Sequence, residues 1–345
     1  MNREWLRAVR GAAIAAFVLL PCAAFADGPQ ATPSIFAPAS TPATDIVHLA
    51  LFALSVVGGI FVVVGGLLTY VVIRYRDRHP EDPQEPAQVF GSNQIELAWT
   101  VIPILIVVVL FLTTARMIFA IQDHPKPPSA LNVTVVGHQF WWEYRYPNLG
   151  IVTANELHVP LSSDTAPKPT YLKLLSADVV HSFWVPQLAG KTDVIPNSPN
   201  LTWIDPKHPG LYLGQCAQFC GIEHAKMLIR VYVDTPQQFA AWVKNQQQPA
   251  VQDPSVVAGR HVFETQACMN CHTIRGTVAT GRFGPDLTHL MSRDTIASGA
   301  VPLTKANLRQ WIEDPDSFKP GALMPAMKLS DQQLDELTDY LSTLK

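Results

Sequence analysis

Charged side chains are scarce in this sequence: Asp, Glu, Lys and Arg together make up 15% of its 345 residues. With 48% hydrophobic residues and a mean hydropathy of +0.13, the chain is more apolar than an ordinary soluble protein. The formal net charge of −3 leaves no basic excess to neutralise phosphates, so nucleic acid is excluded as a partner. The length allows two folded domains in addition to membrane segments.

Cysteine is also scarce, and its distribution is informative. The five cysteines are Cys22, Cys216, Cys220, Cys268 and Cys271. Four of them form two close pairs beside histidines, which is typical of prosthetic-group sites more than of a disulfide framework. Cys22 lies within residues 1–26, where a basic start, a short apolar run and the pattern Ala24-Phe25-Ala26 predict a cleaved secretory signal. The apolar run is too short to favour the alternative, a first membrane span.

Two longer segments, 46–73 and 97–115, contain no Asp, Glu, Lys or Arg. They predict membrane helices over about residues 46–73 and 97–118, within a hairpin of residues 27–121. Their length disfavours the alternative of two buried core helices. Arg74, Arg76 and Arg78 follow the first span, whereas residues 27–45 carry no Lys or Arg. This asymmetry places the connecting loop in the cytoplasm and everything after residue 121 outside it.

Short alternating runs between Pro, Gly, Asn and Asp clusters predict an antiparallel β-sandwich or Greek-key barrel over residues 131–235. Candidate metal ligands within it are His181, Cys216, Cys220, His224 and Met227. Two thiolates, two imidazoles and a thioether form a soft ligand set that favours copper. One alternative is a zinc site, in which Met227 would not be needed as a ligand. The other is a disulfide between Cys216 and Cys220.

Four sequence segments accompany these ligands: GHQFWWEYRY at residues 137–146, DVVHS at 178–182, GKTDVIP at 190–196 and QIELAWTVIP at 94–103. With them, residues 35–235 resemble cytochrome c oxidase subunit II. The resemblance implies an all-β, cupredoxin-like copper domain over residues 122–243. It also implies two coppers bridged by Cys216 and Cys220, with one histidine on each. Met227 and the carbonyl of Gln218 would be weak axial ligands.

Four residues, Gln218, Phe140, Trp142 and Glu96, are assigned further roles through this resemblance. The family has a glutamate at the position of Gln218, where its side chain helps to bind magnesium beside the catalytic subunit, so the magnesium contact is in question here. Phe140 replaces a tryptophan that receives electrons from a soluble cytochrome c, and Trp142 follows it as a candidate site residue. Glu96 matches a glutamate at the mouth of a proton-uptake channel, although an acid at a helix start also stabilises the helix dipole.

A second motif, Cys268-Met-Asn-Cys271-His272, is the attachment pattern of a covalent haem c, with His272 as the proximal ligand. It follows a polar, proline-containing linker at residues 244–255. Residues 256–345 resemble a small all-α class I cytochrome c, in which the loop at residues 284–287 would supply the carbonyl that orients the proximal histidine. The apolar period of Leu329, Leu334, Leu337, Tyr340 and Leu341 predicts an amphipathic helix whose apolar face lies in the core. The distal ligand is predicted to be a methionine, either Met324 or Met327, and the Met-Pro pair favours Met324.

These features together resemble a subunit II with a fused cytochrome c, as in haem-copper oxidases of the caa type. The resemblance implies a bacterial inner-membrane protein with both domains on the periplasmic side. It also implies subunits I and III as partners, and an external donor such as a cytochrome or the bc complex. His48 is the sole histidine in the predicted spans, so the oxygen chemistry must lie in a partner subunit. A copper chaperone would need no haem, a quinol oxidase subunit would lack the copper ligands, and a nitrous oxide reductase would carry a propeller domain.

Overall fold

The structure is a computed structural model that describes residues 33–76, 88 and 90–345. The predicted signal, Cys22 and Arg78 lie outside the described residues. Helices α1 (Thr41–Arg74) and α2 (Asn93–Gln122) include the two predicted spans and extend beyond them at both ends. Their large apolar side chains are exposed, for example Phe61 at 76%. An apolar surface of this extent needs a non-aqueous environment, and both helices are long and apolar enough to cross a membrane.

The next part of the chain, residues 131–234 (hereafter the β domain), forms two five-stranded sheets. The first sheet has the order β3-β2-β1-β5-β8 and contains β1 (Leu131–His138), β2 (Trp141–Tyr146), β3 (Ile151–Ala154), β5 (Thr170–Ser176) and β8 (Asn200–Ile204). The second has the order β4-β10-β9-β6-β7 and contains β4 (Glu156–Pro160), β6 (His181–Trp184), β7 (Thr192–Val194), β9 (Gly210–Cys216) and β10 (Leu228–Asp234). The core of the domain includes Leu157, Leu172 and Ile229, which are fully buried.

Two pairs of strands depart from the antiparallel arrangement predicted from the sequence. Strands β1 and β5 are parallel, with Val135 opposite Leu174, and β4 and β10 are parallel, with Leu157 opposite Val231. The chain leaves the first sheet after β3 to form β4 in the second, and it returns as β5. Because it re-enters the first sheet from the other layer, β5 can run in the same direction as β1, which a hairpin does not allow.

The outer ends of both long helices are attached to the β domain. At the start of α1, Ser40 Oγ accepts a hydrogen bond from the amide of Asp205 at 2.8 Å, and Thr41 Oγ1 donates to the Asp205 carboxylate at 2.7 Å. At the end of α2, Trp203 Nε1 donates to the carbonyl of Ile121 at 2.8 Å. The two helices therefore form a hairpin whose free ends meet the same domain.

After the β domain, α3 (Pro236–Gln246) begins with a capping box between Thr235 and Gln238, an arrangement worth about 1 kcal/mol. The predicted linker, residues 244–255, thus starts within the last turn of this helix. Arg275 Nη2 then donates to the carbonyls of Gln246 and Gln248, the latter at 3.1 Å. These contacts hold the linker against the part of the chain that follows it.

Residues 254–345 (hereafter the helical domain) contain α4 (Val257–Thr265), α5 (Cys268–Cys271), α6 (Lys305–Glu313) and α7 (Asp331–Leu341), with a two-stranded ribbon of β11 (Thr295–Ile296) and β12 (Val301–Pro302). Helix α7 begins with a capping box between Ser330 and Gln333. The rings of Phe263 and Tyr340 join α4 to α7 with their centroids 6.1 Å apart. The apolar periodicity read from the sequence is confirmed, since Leu334, Leu337, Tyr340 and Leu341 are buried.

Candidate metal and cofactor sites

The five side chains predicted to bind copper converge at one end of the second sheet. His181 begins β6, Cys216 ends β9, and the others lie in the loop before β10. Cys216 Sγ is 3.9 Å from Cys220 Sγ and 3.9 Å from His181 Nδ1. Cys220 Sγ is 3.7 Å from His224 Nδ1 and 3.8 Å from Met227 Sδ. The sulfurs of the two cysteines thus lie between the imidazoles, which is the placement that bridging ligands require.

The two cysteines are free thiols, so the disulfide alternative is not the arrangement found. A hydrogen bond from Cys220, aided by His181 and opposed by burial, lowers the pKa of Cys216 to about 3. The same pairing and burial raise the pKa of Cys220. A thiol whose pKa is lowered gives up its proton readily, so the pair is suited to bind a soft metal ion. The carbonyl oxygen of Gln218 lies 3.3 Å from Cys216 Sγ, on the edge of this ligand set.

Asp178 supports this cluster and was not recognised from the sequence. His181, which is fully buried, contacts Asp178 Oδ1 through Nε2 at 2.7 Å, so its Nδ1 faces the sulfurs. Burial lowers the pKa of His181, but the carboxylate and Cys216 raise it further, so the net shift is upward. Asp178 also accepts hydrogen bonds from the amides of Gln139 and Val179, both at 2.6 Å. A carboxylate that orients a ligating histidine is a common feature of metal sites, and its position three residues before His181 was the available signal.

The predicted aromatic residues adjoin the same ligand loop. Trp142 is fully buried, with its ring centroid 5.9 Å from that of His181. The ring of Phe140 packs on Gly221, where a Cβ would come within 2.8 Å of Phe140 Cε1. Gly221 has a φ of +137°, so both space and backbone conformation require glycine there. Phe140 therefore touches the residue that follows Cys220.

The haem-attachment motif lies at a cavity in the helical domain. Residues from the predicted haem site that line it are Cys268, Cys271, His272, Met324 and Met327. His272 Nδ1 donates to the carbonyl of Pro285 at 2.7 Å, as predicted for the proximal histidine, and burial lowers the pKa of His272. With Nδ1 engaged in this hydrogen bond, Nε2 is the ring nitrogen left to bind a metal. Gly284 is needed beside it, because a Cβ there would lie 2.6 Å from His272 Cε1.

The rest of this cavity fits a haem group. Its wall is largely apolar, with Phe263, Leu290 and Ile312 among the lining residues. Arg293 also lines it, and its buried Nε has no hydrogen-bond partner among the described residues. An unpaired guanidinium nitrogen in an apolar cavity suits a ligand that carries carboxylates. Both candidate methionines reach the cavity, so Met324 stays a prediction.

The β domain supplies one wall of the same cavity. Gln139, Phe140, Trp141 and Asn155 line it together with the residues of the helical domain. Gln139 Nε2 also donates to the carbonyl of Cys220 at 2.6 Å. The segment from Gln139 to Trp141 therefore lies between the predicted haem and copper sites.

Glu96 is separate from both sites. It lies in the first turn of α2, at the end of the helix away from the β domain, and its side chain is exposed. Its assignment to proton uptake, like the magnesium contact questioned at Gln218, stays a prediction.

Comparison with known proteins identifies the three parts of the chain. Residues 29–116 match the family of the cytochrome c oxidase subunit II transmembrane domain, residues 166–233 the periplasmic domain of that subunit, and residues 256–345 the cytochrome c family. The periplasmic domain of the oxidase subunit II of Bradyrhizobium japonicum is a similar solved structure, with 30% identity and a TM-score of 0.33, covering 36% of this chain and 96% of that one.

Whole-chain relatives give the same result. Cytochrome c oxidase subunit 2 of Alkalihalophilus pseudofirmus is 33% identical over 302 residues, 86% of each chain. The subunit 2 of Bacillus sp. strain PS3 is 35% identical over 291 residues, covering 79% of this chain and 80% of the relative. The fold agrees: two long apolar helices, a cupredoxin-like β-sandwich and a helical cytochrome c domain. The chain therefore belongs to the cytochrome c oxidase subunit II family, as a subunit of an oxidoreductase complex, and carries a cytochrome c domain after the subunit II domains.

Proposed function

We propose that this chain is the electron-accepting subunit of a terminal respiratory oxidase. It takes electrons from an external donor at a haem c in the helical domain and passes them through a dinuclear copper centre in the β domain. The acceptor is the catalytic subunit I, which reduces oxygen to water with proton translocation. The observation that carries this proposal is the position of Phe140, whose ring packs beside the copper ligand loop while the residue lines the haem cavity.

The protein side chains have distinct tasks in this scheme. Cys216 and Cys220 would bridge two coppers, His181 and His224 would each hold one, and Met227 and the Gln218 carbonyl would be axial. A dinuclear copper centre held by these residues would supply one-electron transfer, with the charge shared between the two metals. Asp178 keeps His181 oriented, and the buried strands β6 and β9 hold their ligands rigidly.

In the helical domain, Cys268 and Cys271 would form the two thioether bonds and His272 would be the proximal ligand. A haem with histidine and methionine ligands supplies reversible one-electron chemistry at a raised potential. Pro285 accepts the Nδ1 hydrogen bond that fixes the ring of His272. Arg293 is available to the haem carboxylates.

The proposed partners follow from this assignment. Within the described residues, helices α1 and α2 contain a single histidine, His48, so they cannot supply the ligands of an oxygen-reducing haem. Subunit I would provide these, with subunit III beside it and a cytochrome or the bc complex as donor. We place the complex in a bacterial inner membrane, with the β and helical domains on the periplasmic side.

Rapid mixing of the oxidised complex with a reduced soluble cytochrome c tests the order of the two centres. We expect the visible haem c band to change first and the near-infrared copper band to follow, because the donor meets the haem before the electron reaches copper. The complex is inhibited with cyanide, so that oxygen reduction does not withdraw electrons from either centre during the measurement. Reduction of copper before haem would exclude this route, and so would haem reduction in the uninhibited complex that is slower than turnover.

The choice of distal ligand predicts different results at two neighbouring methionines. Met324→His should give a bis-histidine spectrum and a lower haem potential, because imidazole stabilises ferric iron better than a thioether. Met327→His is the matched control and should leave the methionine-ligated spectrum in place. Visible spectra and redox titration of the full chain decide the matter. If only Met327→His alters them, Met327 is the ligand.

A further inference from the structure

Lys319 is a buried cation that reaches from the helical domain into the β domain. It begins the loop that carries both candidate methionines, and only 4% of its surface is exposed. Its Nζ donates to the carbonyl of Phe140 at 2.6 Å. Burial lowers the pKa of Lys319 to about 8, although the carboxylate of Glu223 acts in the opposite direction. An ammonium group in this environment is stabilised by the other domain, because its one hydrogen-bond acceptor among the described residues lies there.

Glu156 is the reverse case: a buried anion of the β domain that binds the helical domain. It lies in β4 and is 2% exposed. Its carboxylate accepts hydrogen bonds from the amide of Asp294 at 3.0 Å, the amide of Thr295 at 3.0 Å and Thr295 Oγ1 at 2.8 Å. Arg230 Nε lies 3.8 Å away within the same domain. Three hydrogen bonds to one ionised acceptor form a strong and directional attachment.

These two attachments lie on either side of the shared cavity wall. Lys319 binds Phe140, and Glu156 follows Asn155; both Phe140 and Asn155 line the cavity. On the other side, Thr295 lines the cavity while its amide binds Glu156. Each domain therefore contributes one buried charge, and each charge is satisfied by the other domain at the edge of the site. Residues 244–255 alone would allow many relative positions, whereas these contacts select one.

We propose that Lys319 and Glu156 are positioning residues that hold the helical domain on the β domain in one docked arrangement during electron transfer between haem and copper. This inference rests on the proposed function. In the step concerned, the ferrous haem is oxidised and the copper pair is reduced by one electron, with no bond made or broken. The docked arrangement keeps the wall of Gln139, Phe140 and Trp141 between the two centres. Loss of either charge should populate undocked states in which transfer waits for the domains to meet again.

Photoreduction of the haem in the complete complex, followed by time-resolved spectra of both centres, tests this proposal. In the parent chain we expect a single fast transfer phase. Lys319→Met and Glu156→Gln should each add a slow, viscosity-dependent phase, because the undocked fraction rises roughly tenfold when a charged hydrogen bond is lost. The fast phase should keep its rate, and Lys319→Arg should restore the parent behaviour in part. Lys328→Met, which removes an exposed charge from the same loop, is the matched control.

Two further measurements separate docking from a damaged site. Hydrogen exchange at the amides of Asp294 and Thr295 should accelerate in Glu156→Gln, and redox titration should show both potentials unchanged. A lowered haem potential in Lys319→Met would mean that the methionine loop was disturbed, and Glu156→Gln, which lies outside that loop, then decides the question. Parent-like single-phase transfer in both variants would overturn the proposal. If photoreduced haem in the parent chain never reduces copper, the proposed function itself fails.

Discussion

Replacing Cys220 by serine in the full-length chain is expected to abolish the copper centre. Cys220 Sγ lies between Cys216, His224 and Met227, at 3.9, 3.7 and 3.8 Å, so its loss removes the contact that joins the two halves of the cluster. Serine keeps the size of the side chain but offers a hard, protonated oxygen in place of a thiolate. The parent chain should bind two coppers and give a delocalised mixed-valence EPR signal.

Met227→Leu is the matched control for this experiment. Leucine preserves the volume of a fully buried side chain, and the lost thioether would be only a weak axial ligand. Most of the copper should stay bound, with a shifted potential. Metal analysis and EPR on the purified complex provide the readout. One copper per chain in the parent protein, or zinc bound in preference, would contradict the assignment.

Truncation after Asn245 should reduce turnover with the natural donor by roughly 10²-fold or more, because a tethered haem acts at a high effective concentration. The copper centre should still be reduced by small chemical reductants, which serves as the internal control. The structure adds a second reason for the loss. Without the helical domain, the carboxylate of Glu156 and the carbonyl of Phe140 lose the partners that cover them.

Phe140→Trp in the intact chain completes the test. The family tryptophan serves a donor that docks from solution, whereas here Phe140 lines a cavity shared with the helical domain. The substitution should therefore change turnover little in the intact chain, and oxygen consumption measures it. If the truncated complex oxidised soluble cytochrome c as fast as the whole one, the haem domain would not be the route by which electrons enter.

The sequence predicted the fold wherever a local pattern determines it. Uncharged runs gave the two long helices, and the apolar period around Leu334 and Leu341 gave α7. The parallel pairing of β1 with β5 could not be read in the same way, because strand neighbours are decided by contacts far apart in the chain. The alternation of apolar and polar residues within a strand is the same whether the neighbouring strand runs parallel or antiparallel to it.

In the candidate sites, too, residues in short motifs could be predicted and residues that act through distant contacts could not. Ligands in short motifs, such as Cys216 and Cys220 or Cys268 and Cys271, were predicted because their chemistry requires close spacing. Lys319 and Glu156 were not, since an isolated lysine or glutamate usually lies on a solvated surface. Their burial arises only when two separately predicted domains pack together, and no pattern within either domain records that contact.

The attachment of the β domain to both free ends of the helix hairpin has a mechanical consequence. A domain that is joined to a membrane helix by a single segment of chain can rotate freely about that segment. Here Ser40 and Ile121, 81 positions apart in the chain, are each bonded to the domain, at Asp205 and Trp203. Two such attachments prevent the β domain from rotating about a single segment and leave at most a tilting motion. Under the proposed function, the predicted copper ligands would stand at a set height above the bilayer, and the distance over which an electron tunnels to an acceptor in the membrane would be constant.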